Sequence, residues 1–204
     1  GFLFKISAVP FHQWTPDAYE ASPHPIAGFM SVATKGVAVI ALMRAFPGSI
    51  GMHTVTGQRV GIALAVLAAA TMIIGNLSAL PQSNVKRMLA YSSISHAGYL
   101  LLGFVAGTAE AYTGVLFYLV IYLAMNMAAF GMLTAYGLVG EHIQFEDLRG
   151  LGWRRPILGV AVVITMLSLA GIPPMGGFFG KYFIFKELVK TGHVGLAVLG
   201  VTAS

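Results

Sequence analysis

Four side chains in this sequence sit where they invite chemistry. Lys5 in "GFLFKISAVPF", Lys35 in "SVATKGVAVIALM" and Lys181 in "GIPPMGGFFGKYFIF" each interrupt an apolar run. His96 does the same in "NVKRMLAYSSISHAGY". A basic residue at membrane depth costs roughly 2.5–3.5 kcal/mol even on the lenient insertion scale, so one that is kept points by default to an ion or proton path. An amine enclosed by apolar groups is poorly solvated as a cation, and its ordinary titration near 10.4 moves toward neutral pH. Imidazole already titrates at about 6.5. All four could therefore take up and release protons.

Each has a blander reading. A lysine can snorkel, its stem in lipid and its ammonium at the headgroups. Lys35 lies about nine residues from the start of its helix, or ~14 Å at 1.5 Å per residue, which is deep for snorkelling. Counting from Val85, His96 falls about 16 Å into its helix. Ser92, Ser93 and Ser95 precede it, with Tyr91 and Tyr99 nearby. Ser92 and His96 are four apart and share a helix face. Hydroxyls there could hold water between titrating groups. The competing reading is a packing helix, with serines bonded to their own carbonyls and His96 a satisfied core residue. Lys86 and Arg87 read as a solvated, interfacial helix end. His12, Trp14 and Tyr19 read as an interface belt. His24, His53, His142 and His193 read as loop residues, and Asp17 and Glu20 as loop carboxylates that either pair with basic groups or stay wet.

The elements that must position these groups are apolar helices. Of 204 residues, 57% are hydrophobic and only 9% charged, far below the ~25% charged of an ordinary soluble domain. A membrane protein follows, read as a single membrane domain, residues 1–204. Seven apolar stretches, 1–14, 26–46, 60–80, 88–107, 112–139, 157–186 and 193–204, approach the ~20 residues that cross a bilayer as a helix. None shows the alternation of barrel strands. The fold class is all-α, a polytopic transmembrane bundle. Pro10 and Pro16 interrupt the first stretch; Gly171, Pro173, Pro174, Gly176 and Gly177 open the sixth. Proline removes a donor and clashes one turn back, so the freed carbonyls need partners inside protein or in a wet cavity. Paired breaks of this kind point to an ion path. Their spacing, five segments apart, suggests two five-helix repeats. The sequence has no Met at position 1 and stops within "LAVLGVTAS", so it reads as an internal piece of a longer protein.

Cysteine is absent, which excludes disulfides, thiolate metal sites and cysteine-ligated clusters within this chain. No dinucleotide fingerprint, P-loop, zinc-protease helix or nucleophile elbow occurs. The formal charge is +5, but three of the twelve basic residues are the membrane lysines and the others are scattered. That pattern is not a nucleic-acid patch.

Three blocks, "KISAVPFHQWTPDAYEASPHPIAGFMSVATKG", "NVKRMLAYSSISHAGYLLLG" and "GIPPMGGFFGKYFIF", carry a resemblance. Together they resemble the antiporter-like membrane subunits of proton-pumping NADH–quinone oxidoreductase, respiratory complex I, and the related cation–proton antiporter subunits. The resemblance implies inverted five-helix repeats with two broken helices, and places the chain at transmembrane helices 7 to 13 of fourteen. Lys5, Lys35 and Lys181 match the lysines of broken helix 7, helix 8 and broken helix 12, with Pro10, Pro173 and Pro174 at the breaks. Lys5, Lys35, Lys181 and His96 would form the proton path, supported by Ser92, Ser93 and Tyr91. Asn126 and Met127 depart from the branches of the family that carry a mid-helix lysine there. Ala21 and His24 stand where Gly and Thr are more usual. The glutamate expected to partner the helix-7 lysine lies outside the 204 residues. The implied function is proton translocation driven by quinone reduction in other subunits, the alternative being a stand-alone cation/proton antiporter. NADH, FMN, iron–sulfur clusters and quinone would belong to partner subunits, with no cofactor or metal in this chain. The implied partners are antiporter-like subunit M, the small membrane subunits and the lipid bilayer. The implied location is the bacterial plasma membrane or an equivalent energy-transducing membrane.

Overall fold

The computed structural model describes residues 1–49, 55–137 and 143–204, which are helical apart from connections. In chain order the α-helices are α1 (Phe2–Lys5), α2 (Trp14–Ala21), α3 (His24–Phe29), α4 (Lys35–Ser49), α5 (Val55–Ala79) and α6 (Val85–Ala106). They continue as α7 (Ala109–Ala135), α8 (Leu151–Arg154), α9 (Pro156–Ala170), α10 (Gly176–Lys190) and α11 (Val194–Thr202). A π-helical turn, Met30–Thr34, joins α3 to α4, and a 3-10 turn, Phe145–Leu148, precedes α8. Among the described residues, four helical stretches are long and apolar enough to cross a membrane: His24–Ala45, Gly57–Ala79, Val85–Ala106 and Ala109–Ala135. The protein is an integral membrane protein. The sixth apolar stretch is two half-helices of 15 residues each, α9 and α10, and at about 22 Å neither alone spans the ~30 Å hydrocarbon core.

The central element is α6. It packs most extensively on α5 and also meets α2, α7 and α10; nearly all its residues are buried. Because neighbours shield it from lipid, it is the least apolar of the four long helices and can hold Lys86, Ser93, Ser95 and His96 in its sequence. The close α5–α6 approach depends on glycine: a Cβ at Gly75 would lie 2.7 Å from the Ser95 amide nitrogen. Asn84 caps α6, its Oδ1 accepting from the Lys86 and Arg87 amides at 2.9 and 3.3 Å. Gly107 ends the helix in the left-handed region at φ 64°, where glycine has no steric penalty.

The two breaks are built differently. Between α1 and α2, residues 6–13 form tight turns whose buried part is tied to α5 and α2. The Val9 amide donates to Thr71 Oγ1 at 3.1 Å, and the Thr15 hydroxyl donates to Ser7 Oγ at 2.7 Å. Between α9 and α10, Gly171 turns left-handed at φ 81° and its amide closes on Leu167 and Ser168. The Gly177 amide, one of the orphan donors at the start of α10, bonds Ser168 Oγ at 3.1 Å.

Lys86 is the main departure from the sequence reading. It is 1% exposed, and its ammonium donates to the carbonyls of Glu20 and Ser22, the latter at 3.2 Å. A cation on the last carbonyls of α2 satisfies orphan acceptors and complements the helix dipole. Arg87 instead reaches Asp17 at 2.7 Å and Glu20 at 2.6 Å, so those two carboxylates are paired. Lys86→Met should therefore destabilise the protein by about 1–3 kcal/mol by stranding buried carbonyls. Asp17→Asn, which removes only the outer, exposed pair, should cost about 0.2–1 kcal/mol. Thermal unfolding of the detergent-solubilised protein measures the contrast; equal effects would remove the stapling role of Lys86.

Candidate functional site

A buried polar seam runs between α4, α6, α7 and α10. It starts at Lys35, 1% exposed, which follows the π-turn as the first residue of α4. Such turns locally widen the helix and cluster at functional positions. The Lys35 ammonium donates to the Ser93 carbonyl at 2.6 Å and also to Ser93 Oγ. From the other side, the Tyr122 hydroxyl donates to Ser93 Oγ at 2.8 Å. Ser93 thus joins α4 to α7 across α6. Asn126, one turn beyond Tyr122 on α7, donates to the Tyr122 carbonyl at 3.1 Å and is buried.

His96 follows Ser93 by three residues on α6. Three tyrosine rings surround it, with centroids 5.1 Å (Tyr122), 5.9 Å (Tyr99) and 6.0 Å (Tyr118) away. Its Nδ1 is hydrogen-bonded to the Tyr118 hydroxyl, which fixes the ring's orientation. It lies within electrostatic reach of both Lys35 and Lys181.

Lys181 ends the seam on α10. Its ammonium faces the C-terminal carbonyls of half-helix α9, at 3.3 Å from Leu169 and 3.4 Å from Ala170. It also donates to Ser204 Oγ at 2.6 Å and lies 4.6 Å from the Tyr99 ring centroid. The break and the lysine explain each other. Opening the helix frees carbonyls that carry the negative end of the dipole, and an ammonium placed there gains about 0.3–2 kcal/mol. The contact with the tyrosine face adds about 0.5–2 kcal/mol. Together these offset the cost of holding a cation at depth.

A cavity of about 190 Å³ connects the two titratable groups. Lys181, His96, Tyr99, Ser92, Ser95 and Asn76 contribute its polar wall. At ~30 Å³ of liquid volume per molecule it has room for about six waters, with polar partners to hold them.

The sequence candidates are thus placed unequally. Lys35, Ser93, His96 and Lys181 belong to the seam, and Ser92 faces its cavity. Tyr91 is half-buried beside it, without a place in that cavity's wall. Lys5 ends α1 and is exposed, outside the seam. Pro10, Pro173 and Pro174 are exposed at the breaks, with cis bonds at Val9–Pro10 and Pro173–Pro174. Tyr19, read as an interface residue, is fully buried and packs edge-on to Phe130. His24, read as a loop residue, opens α3 and is buried; His53 and His142 lie outside the described residues. Sequence reasoning passed over Tyr118 and Tyr122. Their signal was two phenols one turn apart in a long apolar helix, where each hydroxyl must find a partner. Among the described residues, no group of three or more histidine, aspartate or glutamate side chains is placed to hold a metal.

Known proteins are similar to this chain in sequence and fold. The profile of the family described as NADH:quinone oxidoreductase/Mrp antiporter, TM matches residues 1–204. NADH-quinone oxidoreductase subunit N of Salinibacter ruber is 48% identical over 207 residues, covering 100% of this chain and 40% of that protein. A chain of respiratory complex I from Thermus thermophilus, solved with bound aureothin, superposes with a TM-score of 0.84 at 40% identity, over 100% of this chain and 44% of that one. A chain of the Mrp complex from Dietzia sp. superposes with a TM-score of 0.88 at 27% identity, over 99% of this chain and 37% of that one. The chain spans about two fifths of the length of the relatives it matches.

Proposed function

Because the chain belongs to the NADH:quinone oxidoreductase/Mrp antiporter transmembrane family, we propose that it is a proton-translocating part of a subunit N of NADH-quinone oxidoreductase. Lys35, His96 and Lys181 carry the proton through the bilayer. Lys5, exposed at the end of α1 and outside the seam, enters the proposal as an outlying member of the path, its expected partner carboxylate lying outside the 204 residues. Ser92, Ser93 and Tyr91 support the transfer, and the breaks at Pro10 and at Pro173–Pro174 free the backbone around it. One observation carries this reading: Lys181, held by the carbonyls of a broken helix, shares a polar cavity with His96.

The chain's part is to bind and release protons. In an assembled oxidoreductase the NADH, FMN, iron–sulfur and quinone chemistry belongs to other subunits, among them an antiporter-like subunit M and the small membrane subunits as neighbours. The membrane is a bacterial plasma membrane or an equivalent energy-transducing membrane. Charge moving at one lysine alters the field at the next, so a proton loaded at Lys35 favours release from Lys181 through His96. The direction of loading is imposed from outside this chain.

The test is Lys35→Met in the full-length subunit, assembled and reconstituted into vesicles. The rate of proton uptake should fall about a hundred-fold, the lower end of the range for losing one acid–base group, while quinone reduction in uncoupled vesicles persists. Unchanged proton uptake would overturn the assignment. The likeness to an Mrp chain supports a second reading, a cation/proton antiporter. Sodium-driven proton movement in vesicles holding the full-length protein without redox partners would favour it.

A further inference from the structure

The cavity that joins His96 to Lys181 stops short of Lys35, which does not contribute to its wall. Lys35, Ser93 and Tyr122 are each at most 1% exposed. Along the route from Lys35 to the cavity, hydrogen bonds place Ser93 Oγ and the Tyr122 hydroxyl, and the buried Tyr19 phenol also approaches Ser93 from α2. The Tyr122 ring then lies against His96, with centroids 5.1 Å apart. We infer that Ser93 and Tyr122 form a two-hydroxyl bridge that passes protons between Lys35 and the His96 side of the cavity. The inference rests on the proton path proposed above and adds a residue of α7 to it.

The chemistry follows from what a hydroxyl can do: it donates one hydrogen bond and accepts two. With Lys35 charged, Ser93 Oγ accepts from both the ammonium and Tyr122. With Lys35 neutral, the amine lone pair accepts from Ser93, while Tyr122 still donates to Ser93. These two proton arrangements share one set of heavy-atom positions. For transfer the two hydroxyls first turn about their C–O bonds, so that Ser93 donates to the Tyr122 oxygen and Tyr122 donates toward the His96 side. A proton leaving Lys35 then goes to Ser93 Oγ, the Ser93 proton goes to the Tyr122 oxygen, and the Tyr122 proton leaves toward the His96 side, which restores the Tyr122-to-Ser93 bond. Each oxygen gains one proton and loses one, so neither hydroxyl is left ionised. The reverse order reloads Lys35. Tyr118, one turn earlier on α7, is a positioning residue: its bond to His96 Nδ1 leaves Nε2 as the ring nitrogen that can exchange protons. Asn126 stands one turn further on the same helix, and its amide holds the Tyr122 carbonyl; α7 serves the path through phenols.

The experiment uses the full-length subunit in the assembled oxidoreductase, reconstituted into vesicles. Tyr122→Phe keeps the ring and removes the hydroxyl. Proton pumping should fall about a hundred-fold, the lower end for losing a positioned proton-transfer group, and its solvent deuterium isotope effect should rise as proton transfer becomes limiting, with thermal stability unchanged. Ser93→Ala should give the same loss, and the double variant no more than either alone, as for two links in series. Wild-type pumping in either variant, or a loss without a larger isotope effect, would overturn the bridge. Should Tyr122→Phe fail to assemble, Ser93→Ala decides alone. Normal pumping in Lys35→Met would instead remove the underlying path. Impaired Lys35→Met beside normal Tyr122→Phe and Ser93→Ala would remove only the bridge.

Discussion

Replacing Lys181 by methionine in the assembled, full-length protein is expected to abolish most proton pumping, by about a hundred-fold or more, while the complex still assembles. Methionine fills the same volume without a charge and packs adaptably in irregular spaces. The change leaves the Leu169 carbonyl without the ammonium that it accepts from, but Ala170 still accepts from Ser204 at 3.2 Å. The stability cost is then bounded at about 1–3 kcal/mol, and removal of a buried cation works against that cost. Lys181→Arg separates charge from proton exchange. The guanidinium keeps the positive charge facing the end of α9, but does not give up its proton in proteins. Arginine should therefore assemble and also fail to pump. If arginine pumps normally, Lys181 acts as a fixed charge and not as a carrier. Acidification measured in reconstituted vesicles, beside quinone reduction in uncoupled ones, separates these outcomes.

The second large effect concerns folding. Gly177→Ala should prevent α10 from seating against the end of α9. A Cβ at Gly177 would lie 1.8 Å from the Ser168 carbonyl oxygen and 2.9 Å from its carbon. Both are backbone atoms of the half-helix end, with no flexible tip to yield. Overpacking typically costs about 1–3 kcal/mol and more where backbone must shift, and here the shift also breaks the Gly177 amide bond to Ser168 Oγ. Gly176→Ala is the control. Its Cβ would meet only the Ile121 side chain, at 3.2 Å, which can give. A large drop in folded, assembled protein for alanine at 177, beside a small one at 176, is the expected result. Equal tolerance would mean that the two half-helices are not locked as described. Because Lys181 is one turn further along α10, a folded Gly177→Ala protein should also pump poorly.

Both effects arise where backbone polarity meets a charged side chain, and the same device appears twice. Lys86 caps the end of α2 as Lys181 caps the end of α9. They differ in surroundings. Lys86 is closed in by the link between α2 and α3, whereas Lys181 opens onto a polar cavity with a histidine across it. A cap without such a neighbour stabilises; a cap with one can also exchange protons.

The sequence by itself determined the membrane class, the all-helical fold and the broken segments, and it named four of the seam's members, Lys35, Ser93, His96 and Lys181. These are properties of single segments: a charge or proline within an apolar run carries a cost that is visible along the chain. Only the tertiary structure decided that Ser93 joins Lys35 to Tyr122, that Tyr118 and Tyr122 cage His96, that Lys86 is buried, and that Lys5 stands apart. The reason is rotational. The long helices α5, α6 and α7 are apolar nearly all round, so no periodic face tells which side meets a neighbour. Contacts between them are set by the crossing of packed helices at small residues such as Gly75 and Gly98. Those crossings are a property of the assembled bundle, and with them comes the choice of which hydroxyl faces which amine.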